Sequence, residues 1–319
     1  MGNINQLTEK CLICSGRLTG VPIESRDFLS KVKGHFYYKI CDMCGSYMQF
    51  PLPEQDFLKK CYESQTLGYF QPPDRETLSN SYRVSEGSTL RRLIYTIFPR
   101  IKTIRLLPDQ PAPARVLEIG CSYGARLYNL NQMGYSVIGV ELNDKMVLFA
   151  RERLGLDVRK GLIEDISFED DSFDVIIMSM VLEHFLSPVG IISRVIPWLK
   201  PGGELLLSIP CCDGFEFKIF KEYCYVIHPP YHIFIPSLLG ISVLLKPHFK
   251  IEKIAFQFFH RDLTASASFA YAGTLKPFYR MITVPGKSVL MQKIIRLTLF
   301  VLTSVGLKTS RVSIRCVKK

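Results

Sequence analysis

The sequence predicts an α/β fold in which parallel strands alternate with helices around a nucleoside-binding crevice. The first observation is the stretch 116–124, VLEIGCSYG, where an apolar strand reaches an acid, turns at glycines and enters a segment of helical character. This arrangement presents backbone amides to a nucleoside cofactor, and Gly120 lets the cofactor come close because it has no Cβ. The second observation is an apolar run at 135–140 that ends in Glu141, about 20 residues beyond the turn.

The remaining strands follow in the same alternation. Apolar runs predict strands at 158–161, 173–178 and 204–209, and the last of these follows a Pro-Gly-Gly turn. With 319 residues, of which 47% are hydrophobic, the chain has enough apolar material for a cofactor domain and one small appended domain.

The chemistry of the glycine turn favours a cationic nucleoside over a dinucleotide. Its spacing, E-x-G-x-x-x-G, differs from the G-x-G-x-x-G turn that holds a pyrophosphate, and it places the Glu118 carboxylate at the strand end. A carboxylate there repels phosphate but pairs with a cationic ligand. The pattern therefore points to S-adenosylmethionine, which carries an ammonium group and a sulfonium. Glu141 suits a bidentate hydrogen bond to the ribose hydroxyls of such a ligand.

Four motifs in order give a family resemblance over about 115–210: VLEIGCSYG, VIGVELN, GLIEDISFEDDSFDVIIMSMVLEHF and LKPGGELLLSIP. They resemble the class I S-adenosylmethionine-dependent methyltransferases. The resemblance implies a methyltransferase enzyme with a Rossmann-like, seven-stranded α/β sheet. It also implies that the sheet is completed by a helix at 236–247, a sixth strand at 250–259 and a seventh at 311–317.

The same resemblance assigns the cofactor-binding residues. It gives the methionine end to the acid and glycines of the first motif, the ribose to the acid after the second strand, and the adenine to neighbouring backbone. The implied residues are Glu118, Gly120, Cys121, Ser122, Gly124, Glu141, Leu142, Ile163 and Glu164.

The amino-terminal part of the chain contains two C-x-x-C knuckles separated by 26 residues, and each is followed closely by a glycine. Their cysteines are Cys11, Cys14, Cys41 and Cys44. Four thiolates in this pattern match a tetrahedral structural zinc site, although two disulfides or redox pairs are alternatives. Residues 1–10 are polar and predict no signal peptide, so we expect a reducing, cytoplasmic setting in which disulfides are rare.

These motifs divide the chain into three parts. We expect a zinc-binding module at 1–60, a connector and helical cap at 61–110 that includes a helix at 89–107, and the methyltransferase domain at 111–319. Within that domain about 50 residues, 260–310, separate the sixth and seventh strands, which a minimal fold joins closely. A C-terminal insertion of this length predicts a function of its own.

The insertion and the last strand carry an unusual charge pattern. No Asp or Glu follows Asp262, whereas ten Lys or Arg residues do, in a chain of formal charge +11. The uncharged run 297–307 is shorter than the roughly 20 residues that span a bilayer. Basic residues around a short apolar helix suit peripheral contact with an anionic membrane at the inner surface. A lid helix packed on the core is the alternative.

Three histidines are the candidate catalytic residues. His184 follows the fourth strand, whose carboxyl end opens on the crevice, and Glu183 beside it is placed to cap or orient it. His228 and His232 lie in the segment IHPPYHIFIP. Any of the three can act as a base if the methyl acceptor must lose a proton, and His184 is the best placed.

The acceptor is inferred from resemblance. The H-x-x-x-H-x-F-x-P-x-x-L pattern and the zinc module resemble bacterial methyltransferases of glycan and sugar biosynthesis. This implies a sugar, glycan or lipid-linked small-molecule acceptor. An rRNA or tRNA methyltransferase is an alternative, but the module has no run of Lys or Arg, which disfavours nucleic acid. A non-catalytic cofactor-binding module is the remaining alternative.

Overall fold

A computed structural model describes residues 9–29, 32–63, 106–257, 259–273 and 307–319. The helix expected at 89–107 lies outside the described residues except for its last two positions. Most of the connector at 61–110 and of the insertion at 260–310 also lies outside them, as does nearly all of the apolar run at 297–307.

A seven-stranded mixed sheet forms the centre of the molecule. Its strands are β4 (Arg115–Ile119), β5 (Ser136–Glu141), β6 (Val158–Lys160), β7 (Phe173–Ser179), β8 (Leu199–Pro210), β10 (Phe249–Phe256) and β11 (Arg311–Lys318). They lie in the order β10-β11-β8-β7-β4-β5-β6, with β11 antiparallel to both neighbours and the other pairs parallel. The predicted fold class is confirmed. The middle strands read as unbroken apolar runs because a parallel sheet is covered on both faces.

Helices cover this sheet between its strands. They are α1 (Gln55–Glu63), α2 (Ala125–Gln132), α3 (Asp144–Leu154), α4 (Pro188–Val195), α5 (Phe215–Phe220), α6 (Leu238–Leu245) and α7 (His260–Gly273). The local sequence sets their ends: the Asn143 side chain caps α3 by accepting from two backbone amides, and Ser237 caps α6 by accepting from Gly240. A short 3₁₀ helix, Leu182–His184, follows β7.

A second, four-stranded antiparallel sheet holds the amino-terminal module. Its strands are β1 (Leu18–Ser25), β2 (Phe36–Cys41), β3 (Tyr47–Gln49) and β9 (Phe234–Ile235). The fourth strand, β9, belongs to the segment between β8 and α6, far along the chain. The module therefore pairs directly with the segment that carries His228 and His232, a connection the sequence did not predict.

Side-chain contacts reinforce that connection. The buried Tyr38 hydroxyl donates to the carbonyl of His232 at 2.7 Å, and the Ser237 hydroxyl donates to the carbonyl of Cys44. One apolar core includes Cys41 and Met48 of the module together with Leu207 of the central sheet. In the part of the chain that the structure describes, no helix combines the length and apolar composition needed to cross a bilayer.

Candidate cofactor and acceptor site

The loop after β4 is shaped by two glycines. Gly120 has φ +69°, and a Cβ added to it would lie 2.4 Å from Val181 Cγ2. Gly124 has φ +79°, and its Cβ would lie 2.6 Å from Leu156 Cδ1. Any other residue would combine backbone strain with a clash at either position. The loop is also fixed to the neighbouring strand, because the Gly120 amide donates to the carbonyl of Val140 at 2.8 Å.

The acid of the first motif is buried beside an arginine. Glu118 is 3% exposed, and its Oε1 forms an ion pair with the Arg126 guanidinium, which also donates to Ser179 Oγ at 3.3 Å. Burial raises the pKa of Glu118, and the charge of Arg126 partly offsets this. Glu118 Oε2 has no hydrogen-bond partner among the described residues. Sequence reasoning missed Arg126; the available signal was a cation in the first turn of α2, where the helix dipole disfavours it.

Glu141 is held rigidly at the end of β5. Its Oε2 accepts from the Ser122 amide at 2.9 Å, and its Oε1 accepts from the amides of Leu142 at 2.8 Å and Asn143 at 2.9 Å. The carboxylate is only partly buried and retains further lone pairs. Leu142 beside it is 40% exposed. The ribose role of Glu141 and the adenine role of Leu142 that the resemblance implies stay predictions.

The side chains of the two residues after Gly120 are directed away from a ligand in the crevice. The Cys121 side chain is buried, and the Ser122 hydroxyl is directed at Met146 Sδ, 3.1 Å away. Both residues therefore present backbone to the crevice. The Ile163 side chain is buried and its carbonyl accepts from Arg194 at 2.9 Å, whereas Glu164 is exposed. An adenine contact at Ile163 and Glu164 stays a prediction.

The loop has the properties that S-adenosylmethionine requires. The unpartnered Glu118 oxygen suits an ammonium donor, the glycine turn leaves no Cβ in the way, and the fixed Glu141 carboxylate suits ribose hydroxyls. The residues present therefore fit this cofactor.

Removing the carboxylate of Glu141 is expected to weaken S-adenosylmethionine binding by about 1.5–3 kcal/mol, because a hydrogen bond to a charged group is lost. Calorimetry on Glu141→Ala measures this, and Glu152→Ala, which removes an exposed carboxylate of α3, is the matched control. Equal affinities in wild type and Glu141→Ala would remove Glu141 from the cofactor site.

The three candidate histidines lie together next to this crevice. The ring centroids of His184 and His232 are 4.9 Å apart, and those of His228 and His232 are 5.3 Å apart. The Ile233 amide donates to the carbonyl of Glu183 at 2.8 Å, which fixes the segment with His232 against the end of β7. The crevice is adjacent because Val181, which contacts Gly120, precedes Glu183 by two residues.

Two tyrosines that sequence reasoning missed complete the cluster. The Tyr62 hydroxyl of α1 lies 2.9 Å from His184 Nδ1, and the carbonyl of Tyr231 lies 2.9 Å from the same nitrogen. The charges of Glu183 and Glu141 both raise the pKa of Tyr62, after burial as the main cause. Tyr62 therefore lies near both the cofactor loop and the histidines. No local signal could have identified it, because it is 122 residues from His184 in sequence.

Burial keeps these rings neutral. It lowers the pKa of both His184 and His228 to about 4 and places that of His232 well below its usual range. Burial also raises the pKa of Glu183 to about 8. Around pH 7, each imidazole offers a lone pair, but a ring that protonates so reluctantly is a weak base.

The four cysteines of the two knuckles converge at the start of the module. Cys11 Sγ lies 3.6 Å from Cys44 Sγ, and Cys14 Sγ lies 3.4 Å from Cys41 Sγ. These distances exclude S–S bonds, which are about 2.05 Å long. All four sulfurs are close enough to hold one metal ion. The convergence that the spacing predicts is present.

Part of the chain is similar to known methyltransferases. Residues 91–246 match the family model described as a methyltransferase domain. Two curated relatives, ubiquinone biosynthesis O-methyltransferases from Xanthomonas axonopodis pv. citri and Xanthomonas oryzae pv. oryzae, are each 35% identical. The first match covers 31% of this chain and 44% of the relative, and the second covers 30% and 43%. The chain thus spans less than half the length of the curated relatives it matches.

A solved S-adenosylmethionine-dependent methyltransferase from Mesorhizobium loti is also similar, at 15% identity and a TM-score of 0.45 over 66% of this chain and 94% of that one. The family match covers β4 to α6, the elements that carry the glycine turn, Glu141 and the histidines. Residues 91–246 therefore match a methyltransferase domain, and the seven-stranded sheet has the Rossmann-like α/β fold expected of one.

Proposed function

We propose that this protein transfers a methyl group from S-adenosylmethionine to a hydroxyl of a sugar, glycan or lipid-linked small molecule. The observation that carries the proposal is the contact between the two halves of the site. Val181 packs against Gly120 in the cofactor loop, and the next residues lead directly into Glu183 and His184. A cofactor on the loop and an acceptor at the histidines would be neighbours.

Each group of residues has a separate task in this scheme. Bound S-adenosylmethionine supplies an electrophilic methyl group. Glu118 and Glu141 hold its two polar ends, so that the methyl is positioned by binding. His184, neutral and partly exposed, accepts the proton of the acceptor hydroxyl. Tyr62 and the Tyr231 carbonyl orient its ring through Nδ1.

Three observations support the acceptor class. The curated relatives are named for O-methyl transfer in ubiquinone biosynthesis, which supports a hydroxyl acceptor. The pattern around His228 and His232 resembles enzymes of glycan and sugar biosynthesis. The basic carboxyl-terminal part, which lacks Asp and Glu after Asp262, supports an acceptor presented at an anionic membrane surface on the cytoplasmic side.

We also propose that Cys11, Cys14, Cys41 and Cys44 bind a structural zinc ion. Tetrahedral zinc with Zn–S bonds of about 2.3 Å places its sulfurs about 3.8 Å apart, close to the distances of 3.4 and 3.6 Å between these thiols. The Ile13 amide, 3.4 Å from Cys11 Sγ, suits a thiolate. Through β9, such an ion would stabilise the segment that carries His228 and His232.

A labelled-methyl transfer assay tests the proposed reaction. Cell extract is divided into lipid-linked, nucleotide-sugar and RNA pools, and each is incubated with the protein and methyl-labelled S-adenosylmethionine. We expect label in the lipid-linked or nucleotide-sugar pool. Label confined to RNA, or an absence of label in every pool, would contradict the proposal.

A further inference from the structure

A second cluster of metal-ligating side chains lies 130 or more residues beyond the four cysteines. Glu183, His184 and His232 each offer one ligand atom, and these atoms lie within 4.8 Å of one another. We propose that these three residues bind a divalent transition-metal ion, separately from the zinc of the cysteine knuckles.

The strongest observation is the state of Glu183. Its side chain is fully buried, and neither carboxylate oxygen has a hydrogen-bond partner in the described residues. His232 Nε2 lies 3.8 Å from Oε1, which is too long for a hydrogen bond. An unpartnered buried carboxylate is costly, and a cation between Glu183 and His232 removes that cost.

The hydrogen bonds at Nδ1 of the two histidines also favour metal binding. His232 Nδ1 lies 2.7 Å from the carbonyl of Val226, and His184 Nδ1 lies 2.9 Å from the carbonyl of Tyr231. A carbonyl only accepts, so His232 Nδ1 carries the hydrogen and its Nε2 keeps a lone pair; the His184 ring contacts the carbonyls of Tyr231 and Met180. Histidines that bind metals use this arrangement, in which the second nitrogen donates to a backbone carbonyl.

The ligand set indicates the class of metal. Two imidazoles and one carboxylate suit zinc or a similar transition metal, whereas magnesium and calcium prefer oxygen ligands throughout. Three protein ligands leave a coordination position open, and His184 is only partly buried, so the cluster is accessible from the crevice. Two neutral rings and one carboxylate also limit the net charge that is buried.

A metal ion at this cluster would change the proposed reaction in one respect. With an ion bound, the His184 ring would act as a ligand in place of its role as base, and a hydroxyl at the open position would become more acidic through the ion. That role rests on the proposed methyl transfer. Metal binding does not rest on it, since it is measured without cofactor or acceptor.

Metal analysis of full-length protein purified without chelators and dialysed against zinc tests the site. We expect two zinc ions per wild-type chain and one per chain in His232→Asn. His228→Asn is the matched control: it changes a neighbouring histidine outside the ligand set, at φ +32°, where asparagine is well tolerated. It should retain two. One zinc per chain in wild type, or two in His232→Asn, would overturn the proposal.

Cobalt substitution distinguishes the two sites. Cobalt at the four cysteines gives intense thiolate-to-metal absorption in the near ultraviolet, whereas nitrogen and oxygen ligands give weaker visible bands only. We expect His232→Asn to lose one cobalt while the thiolate absorption is unchanged. If that variant fails to fold, Glu183→Gln is measured in its place with the same expectation. Loss of thiolate absorption in step with the lost cobalt would refute a separate site.

These outcomes are independent of the methyl transfer assay. Two metal ions without methyl transfer would refute the proposed reaction and leave the metal site intact. Methyl transfer with one metal ion, bound by the cysteines, would do the reverse.

Discussion

Replacing His184 by alanine is expected to reduce methyl transfer by about 10²–10⁴-fold, because it removes the group that accepts the acceptor proton. S-adenosylmethionine binding should persist, since the described hydrogen bonds of His184 Nδ1 are with Tyr62 and Tyr231, which lie outside the loop after β4 and do not include Glu141. Turnover and cofactor affinity are measured on the same preparation.

His248→Ala is the matched control, because His248 is exposed and lies outside the cluster. A thermal melt separates a lost chemical role from lost folding, since His184 packs edge-on against Tyr62. Near-normal turnover in a folded His184→Ala variant would remove His184 from the reaction and transfer the role to His228 or His232.

The central sheet was predictable from the sequence because its strands leave strong local signals. Each parallel strand is a short apolar run that ends at a glycine, an acid or a turn, and hydrophobic burial on both faces selects such runs. The expected strand at 173–178 is Phe173–Ser179, and the expected seventh strand at 311–317 is Arg311–Lys318. The expected helix at 236–247 is shorter, Leu238–Leu245, because Ser237 caps its start.

The parts that escaped prediction depend on contacts between distant segments. The strand β9 has two residues, too few for any periodic pattern, and it is defined by pairing with Tyr47 and Met48. Tyr62 of α1 meets His184 although the two are 122 residues apart in sequence. Glu118 and Arg126 are only eight residues apart in sequence. Their ion pair was still missed, because its importance depends on the burial of Glu118, which residue spacing does not reveal.

The cysteine cluster was predictable from a local sequence motif, whereas the grouping of the histidines with Glu183 was not. A repeated C-x-x-C motif predicts that its four thiols converge, and they do so in the structure. The histidines were identified singly as candidate bases. Their proximity to Glu183 depends on the fold, which places His232 beside the residues that follow β7.

Replacing Gly120 by alanine is expected to weaken S-adenosylmethionine binding on the order of 10²-fold. A left-handed backbone costs a non-glycine residue about 1–2 kcal/mol. In addition, the new Cβ would lie 2.4 Å from Val181 Cγ2, so that the loop must move away from its cofactor-binding position.

Gly202→Ala separates the cost of the left-handed backbone from the effect of the clash with Val181. Gly202 has a similar φ of +72°, but a Cβ there meets nothing within 4 Å, and the residue lies near the start of β8. It therefore carries the backbone strain without the clash and outside the cofactor loop. Its affinity for S-adenosylmethionine should equal that of wild type.

Calorimetric titration of S-adenosylmethionine into wild type, Gly120→Ala and Gly202→Ala tests the central claim that the loop after β4 is the cofactor site. The account predicts binding of one cofactor per chain in wild type and Gly202→Ala, and an affinity loss on the order of 10²-fold confined to Gly120→Ala. Folded wild-type protein that binds no S-adenosylmethionine, or equal affinities in wild type and Gly120→Ala, would contradict it.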